Sequence, residues 1–318
     1  MAETPKETPK KERWLKIEAT APAELGDALS NFLTELGAQG VFQEEAVPAA
    51  LDDLPKGTFP GSIKAYLPFD IRLEKRLASL KAYAASLHEI FPDLPEVVLS
   101  TEEISDPDWA EAWKKYFKPI RVSRNIVIKP TWERYSPSSR DIVIEIDPGM
   151  AFGTGQHAST RMCLGAIEDL LLKDRTFPRW RMLDVGTGTG ILGIAGAKLG
   201  AERVLCVDTD KKAVEIAREN SGINEVTDRL EILNRDVTGI HESFELIVAN
   251  LTAKILLRLR SHLLSLVQRN GYLVISGIID QDRSDIEEHF LVPPLAIHNA
   301  ISEKEWYCYV LKKEEDGR

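Results

Sequence analysis

Cysteine is scarce in this 318-residue chain: Cys163, Cys206 and Cys308 are widely spaced and form no CxxC pair. An odd trio of this kind excludes a disulfide scaffold and a cysteine-based zinc site, and no metal is expected. It fits a reducing, cytoplasmic setting. No apolar run approaches the roughly 20 residues a membrane-spanning helix needs, and the Lys/Glu/Pro-rich start lacks the apolar core of a secretion signal. No membrane partner is expected. Glycine (20) and proline (17) are too few and too scattered for a collagenous or broadly disordered chain. Basic residues are also in deficit, 40 Lys and Arg against 50 Asp and Glu, for a formal charge of −10. That argues against a broad phosphate-binding face, so direct nucleic-acid binding is not expected.

What the chain does have is apolar mass. Hydrophobic residues make up 43% of it, and its length suits about two domains at roughly 150 residues each. Residues 1–12 read as a solvated tail of Pro, Thr, Lys and Glu. Residues 13–105 read as strand, helix, strand, strand, helix, strand: WLKIEA, a helix closed by Gly37, QGVFQEE, SIKAYL, a helix from Leu73 to Ile90, and EVVLSTEEI. That order is the split βαβ pattern of a small α+β, ferredoxin-like domain. Residues 106–146 read as a linker. It holds a helix with Trp109, Trp113, Tyr116 and Phe117, then a hairpin of NIVIKP and DIVIEI. From residue 147 to 318, short apolar strands alternate with helices. The strands are RMLDV, RVLCVD, LEILN, LIVAN and GYLVISG, and the helices begin near Ile191, Lys211, Ala253 and Gln281. LAIHNAIS and EWYCYVLK follow with only a short turn between them. The pattern predicts an α/β, doubly wound, Rossmann-like sheet with an antiparallel edge.

The sharpest local signal is MLDVGTGTGIL, Met182 to Leu192. An apolar strand runs into Gly186, Gly188 and Gly190 and then into a helix. Such a corner needs residues without Cβ, and the helix N-terminus behind it offers N–H groups and a positive dipole end. Asp208, at the end of the next strand, stands where a carboxylate meets the ribose of an adenosine moiety; Asp210 fits the role of helix cap. Gly188, Gly190 and Gly193 also satisfy GxGxxG, which keeps NAD and an oxidoreductase open as an alternative. The first glycine after the strand is Gly186, however, and Asp184 in the strand end would repel a diphosphate while attracting an ammonium and a sulfonium. The register therefore favours S-adenosylmethionine. Asp236, after the third strand, is a candidate for the adenine, and Asn250 closes the fourth strand beside the crevice.

DPGMAFGTGQHAST (Asp147 to Thr160), MLDVGTGTGILGIAGAKLGA, VDTDKKA, VANLTA and EKEWYC together resemble the bacterial ribosomal protein L11 methyltransferases. The resemblance runs from Trp14 to near the end of the chain. Its most specific part is AFGTG with His157 close behind. It implies an enzyme that methylates the α-amine and lysine ε-amines of ribosomal protein L11 with S-adenosylmethionine, leaving S-adenosylhomocysteine. It also implies cofactor contacts from Thr160, Gly186, Asp208 and Asn250, a covering loop from Phe152 to Gly155, and a first domain that grips the substrate protein. Gln156, Ala158 and Ser159 depart from the family's usual residues. Asn250 Oδ1 and the Leu251 carbonyl are the candidates for orienting the acceptor amine. Rival readings are a methyltransferase for another protein or a nucleobase amine, and a silent RNA-binding module. A base would call for an aromatic stacking face, whereas Leu251, Thr252 and Ala253 follow Asn250.

Overall fold

Alternating apolar and polar residues make WLKIEATAP a half-buried strand, β1 (Trp14–Pro22), with Leu15, Ile17 and Ala19 on its buried face. The computed structural model describes residues 13–22, 25–44, 60–104, 114, 117–147, 155, 157–174 and 176–314. It separates into two units, Met1–Phe117 with Pro148–Met150, and Lys118–Asp147 with Ala151–Arg318. In the first unit β1 is followed by α1 (Gly26–Glu35), β2 (Gln39–Glu44), β3 (Pro60–Pro68), α2 (Leu73–Ile90) and β4 (Val98–Ile104). The sheet order is β2-β3-β1-β4 and every pair is antiparallel. Leu29 and Leu33 of α1 and Leu80 and Leu87 of α2 close the core against the buried face of β1. This is the ferredoxin-like order expected from the pattern. The expected tail and nearly all of the Trp/Phe-rich linker helix lie outside the described residues.

The second unit opens with a small sheet, β5 (Ile120–Arg121), β6 (Ile126–Lys129) and β7 (Ile142–Glu145). The expected hairpin of NIVIKP and DIVIEI is not formed. Strands β6 and β7 run parallel, Ile126 beside Ile142 and Lys129 beside Glu145, and β5 pairs antiparallel with the other edge of β6. Residues 130–141 have the length of a crossover, about a dozen residues, rather than of a hairpin turn. Asp141 and Asp147 hold that crossover in place. Asp141 accepts from Arg121 Nη2 (2.7 Å), Tyr135 Oη (2.7 Å) and the Ser138 N–H (2.9 Å), and Asp147 accepts from the Thr131 N–H and hydroxyl. The Tyr135 hydroxyl and the Arg121 guanidinium hold the Asp141 carboxyl well below the usual carboxylate range.

A helix absent from the sequence reading follows, α3 (Ala158–Lys173). Then come β8 (Arg181–Val185), α4 (Ile191–Lys198), β9 (Arg203–Asp208), α5 (Lys211–Ile223), β10 (Leu230–Asn234), β11 (Phe244–Asn250), α6 (Ala253–Leu266), β12 (Val267–Ile279), α7 (Arg283–Phe290), β13 (Leu295–Glu303) and β14 (Trp306–Lys313). The order of the seven strands is β10-β9-β8-β11-β12-β14-β13, parallel as far as β12 and antiparallel at β14 and β13. Successive residues of each central strand feed two cores. Met182, Val204, Cys206 and Val248 face the side of α3 and α4, while Leu183, Leu205, Val207 and Ile247 face the side of α6 and α7. That is why these strands read as continuous apolar runs. From β8 the chain winds outward through β9 and β10 and then returns to β11 on the other side of β8. The reversal opens a crevice at the carboxyl ends of β8, β9 and β11. Among the described residues, no helix is long and apolar enough to cross a membrane.

The small sheet is fastened to the large one by Asn224, a buried residue at the end of α5. Its Oδ1 accepts the Glu145 N–H (2.8 Å), and its Nδ2 donates to the carbonyls of Glu145 (2.7 Å) and Asn220 (2.9 Å). Replacing it strands buried backbone groups, so Asn224→Ala should destabilise the second unit by about 3 kcal/mol. Urea unfolding followed by the fluorescence of Trp180 and Trp306 should show that loss.

Candidate functional site

The crevice begins where β8 ends. Gly186, Gly188 and Gly190 all adopt left-handed backbone angles (φ 70°, 55° and 83°), which only glycine takes up freely. The corner they form is tied to β9. The Gly186 and Thr187 N–H groups donate to the Val207 carbonyl (2.9 and 3.1 Å), and the Gly188 N–H donates to Asp208 Oδ2 (3.0 Å). The Gly190 N–H closes a turn onto the Thr187 carbonyl (2.8 Å), and Asn220 Nδ2 supports the Thr189 carbonyl (2.8 Å). Asn220, buried on α5, was not foreseen, since an asparagine inside a helix carries no sequence signal of its own.

Asp184 lies beneath this corner, wholly buried. Its Oδ2 accepts from the Thr187 hydroxyl (2.6 Å) and from the Gly193 N–H (3.1 Å), so the carboxylate braces the corner against the first turn of α4. Oδ1 is sealed from water, with no hydrogen-bonding partner among the described residues. Burial pushes this carboxyl up to about 6. The Asp208 charge adds to the rise, and the Thr187 and Gly193 hydrogen bonds oppose it. Within the protein Asp184 supports the corner from below. The strand alternation that turns Asp184 toward α4 also withdraws it from the crevice.

Asp208 ends β9. Beyond the Gly188 N–H, its Oδ1 accepts the Asp210 N–H (2.9 Å), and Asp210 in turn caps α5 through the Lys212 N–H (2.8 Å). A carboxylate has about four acceptor positions, so Asp208 keeps capacity for a pair of hydroxyls. Asp236 makes internal bonds as well. It caps the short turn at Val237–Gly239, accepting from the Thr238 N–H (2.9 Å) and hydroxyl (2.7 Å), which hold its carboxyl below the ordinary range.

The other wall comes from β11, β12 and α3. Asn250 ends β11, half-buried, and its Nδ2 donates a long hydrogen bond (3.4 Å) to Oγ1 of the buried Thr160 on α3. The Leu251 N–H donates to the Ser276 carbonyl of β12 (3.0 Å). Two glycines press against these residues. A Cβ on Gly277, whose φ is 83°, would lie 2.5 Å from the Leu251 carbonyl oxygen and 3.1 Å from Asn250 Oδ1. One on Gly186 would lie 2.5 Å from Leu251 Cδ2. The glycine corner and the Asn250–Leu251 segment therefore meet. Gly277 was another residue not foreseen, although a glycine directly after the strand run VIS was a visible cue. Phe152 lies outside the described residues.

The charges beside the corner discriminate between ligands. Five N–H groups of the corner and helix start (Gly186, Thr187, Gly188, Gly190, Gly193) are engaged within the protein, and two carboxylates flank the same backbone. Like charge from the carboxylates opposes a diphosphate, whereas a ligand bearing hydroxyls and positive charge is complemented. An adenosyl sulfonium fits these residues. Among the described residues, no group of three or more His, Cys, Asp or Glu is arranged to hold a metal.

Residues 13–314 match the family model described as ribosomal protein L11 methyltransferase (PrmA). The chain is similar to the ribosomal protein L11 methyltransferase of Geotalea daltonii, with 39% identity over 95% of this chain and 98% of the relative. It is likewise similar to the one from Heliobacterium modesticaldum, with 37% identity over the same shares. Among solved structures, the ribosomal protein L11 methylase of Lactobacillus delbrueckii subsp. bulgaricus superposes with a TM-score of 0.56 at 30% identity, over 63% of this chain and 100% of that one.

The buried acid predicts a pH signature. Its folded pKa, about 6, lies above the ordinary carboxyl value near 4, so the folded state holds the proton more tightly. Stability contributed by protonated Asp184 is present below about pH 4 and is lost as pH rises through about 6, a fall of up to about 3 kcal/mol. In urea unfolding across that range, the stability of Asp184→Asn relative to wild type should grow with pH by this amount. A constant difference would contradict the assignment.

Proposed function

The chain belongs to the ribosomal protein L11 methyltransferase family, and on that premise we propose that it methylates the α-amine and lysine ε-amines of ribosomal protein L11 with S-adenosylmethionine. The observation that carries the cofactor assignment is the internally bonded glycine corner between the Asp184 and Asp208 carboxylates, which suits a cation with a ribose and opposes a dinucleotide. Asp208 would accept the ribose hydroxyls. Gly186, Gly188 and Gly190 let the ligand approach the main chain, Thr160 and the Phe152–Gly155 segment would line its methionine end, and Asp184 acts from below. When bound, S-adenosylmethionine supplies an electrophilic methyl group.

The chain's own task is to present a neutral amine in line with that group. A lysine of pKa about 10.4 must give up its proton, at a cost of about 4–5 kcal/mol at pH 7, and an α-amine near 8 costs about 1–1.5 kcal/mol. A crevice walled by Leu251 and Gly277 desolvates the ammonium and lowers its pKa, so water can take the proton without a dedicated side-chain base. Asn250 Oδ1 and the Leu251 carbonyl then accept the amine N–H groups and leave the lone pair free. The Thr160 bond to Asn250 Nδ2 matters here, because it holds the amide at the rim of the crevice. Residues 13–105 would hold the substrate protein while residues 106–146 join them to the methyltransferase domain.

Mass spectrometry of purified L11 incubated with the enzyme and S-adenosylmethionine should show stepwise gains of one methyl, with fragmentation giving the amines. An unmodified substrate, or calorimetric binding of NAD in place of S-adenosylmethionine, would overturn the reading. Asn250→Ala should lower turnover by roughly a hundredfold, with far-UV circular dichroism unchanged.

A further inference from the structure

Thr160 can steer Asn250 only if the first turn of α3 stays in place, and that turn has a second attachment. His157 is its N-cap, with Nδ1 accepting the Ser159 N–H (3.2 Å), and its ring meets Trp306 edge-on with centroids 4.5 Å apart. Arg161 binds Glu303 through both Nε (3.4 Å) and Nη2. Residues 157 and 161 are four apart and so lie on one face of the helix start. Glu303 and Trp306 are the paired residues that flank the β13–β14 turn, in which Lys304 adopts φ 54°. One hairpin tip thus grips one face of α3 from both sides of its turn. The tip also stands at the crevice end of the sheet. Asn250 pairs with Ser276 on β12, and Trp306 pairs with Ile279 of the same strand.

We infer that the β13–β14 tip is a positioning device for the acceptor end of the crevice, with Glu303 and Trp306 acting through Arg161 and His157 to hold Thr160 against Asn250. The inference rests on the role given above to Asn250. An ion pair that is partly exposed contributes little to global stability, since solvent screens it. Its consequence is local, and falls on the orientation of one amide. Misplacement by an ångström at a reacting centre can cost up to about a hundredfold in rate.

The test is a charge exchange on the full-length protein: Arg161→Glu, Glu303→Arg, and the two together. Each is read in two ways, by kcat and KM for L11 methylation and by the Asn250 side-chain amide resonance in protein labelled with 15N-asparagine, assigned by its absence in Asn250→Asp. Each single reversal should lower kcat by roughly tenfold, leave KM for L11 within about twofold, and move the Asn250 resonance. The double reversal should restore both readouts. Trp306→Phe, which keeps a ring edge for His157, should retain more kcat than Trp306→Ala. A resonance and kcat unmoved by the single reversals, or a double variant as impaired as either single one, overturns the inference. If a reversal unfolds the chain, Glu303→Gln carries the same readouts. If wild type transfers no methyl to L11, the function proposed above fails, and the resonance still decides the coupling.

Discussion

The crevice depends on a buried carboxylate under a glycine corner. Asp184 is removed from water, which is costly for a charge, and the two hydrogen bonds it accepts from Thr187 and Gly193 offset that cost only in part. A leucine there would bury no charge, but it could not tie the corner to the helix behind it. The tie works because α4 lies very close to the sheet. A Cβ on Gly193 would stand 2.4 Å from the sulfur of Cys206 on β9, so glycine at that point sets the separation of helix and strand. Corner, helix and second strand are thereby bonded into one body, with Asp208 held on its rim by the Gly188 N–H.

On that body two half-sites converge. The β8–β9 half presents backbone and a carboxylate, and the β11–β12 half presents an amide and a main-chain carbonyl. They meet where the Leu251 side chain covers Gly186. The reversal of strand order brings them together, since β11 returns to the far side of β8 after the chain has wound outward through β10. The carboxylates on either side of the corner give this site a chemical preference that the glycine spacing alone does not carry.

Much of this architecture was legible in the chain. Strands β8 to β11 are short runs bounded by glycine, asparagine or aspartate, and α4, α5 and α6 begin where the pattern placed them, because binary patterning and turn residues act locally. Helix α3 escaped notice because it precedes the first strand of the parallel sheet and its start merges with a Gly-rich segment. The parallel pairing of β6 and β7 escaped because an apolar run does not state its direction. Local spacing marks Asp184 and Asp236 but not the bonds they make within the protein, Asp184 beneath the corner and Asp236 at the turn that follows it.

The amino-acid sequence by itself determined the doubly wound order, the glycine corner, the acid at the end of β9 and the asparagine at the end of β11. Each of these is written in local spacing and in residues with narrow conformational uses. Tertiary structure decided which N–H groups of the corner are already engaged, that Gly277 lies against the Leu251 carbonyl, and that a hairpin near the end of the chain reaches the first turn of α3. Those facts depend on side chains far apart in the chain meeting at one point, and that distance is closed only by the packing of helices on a twisted sheet.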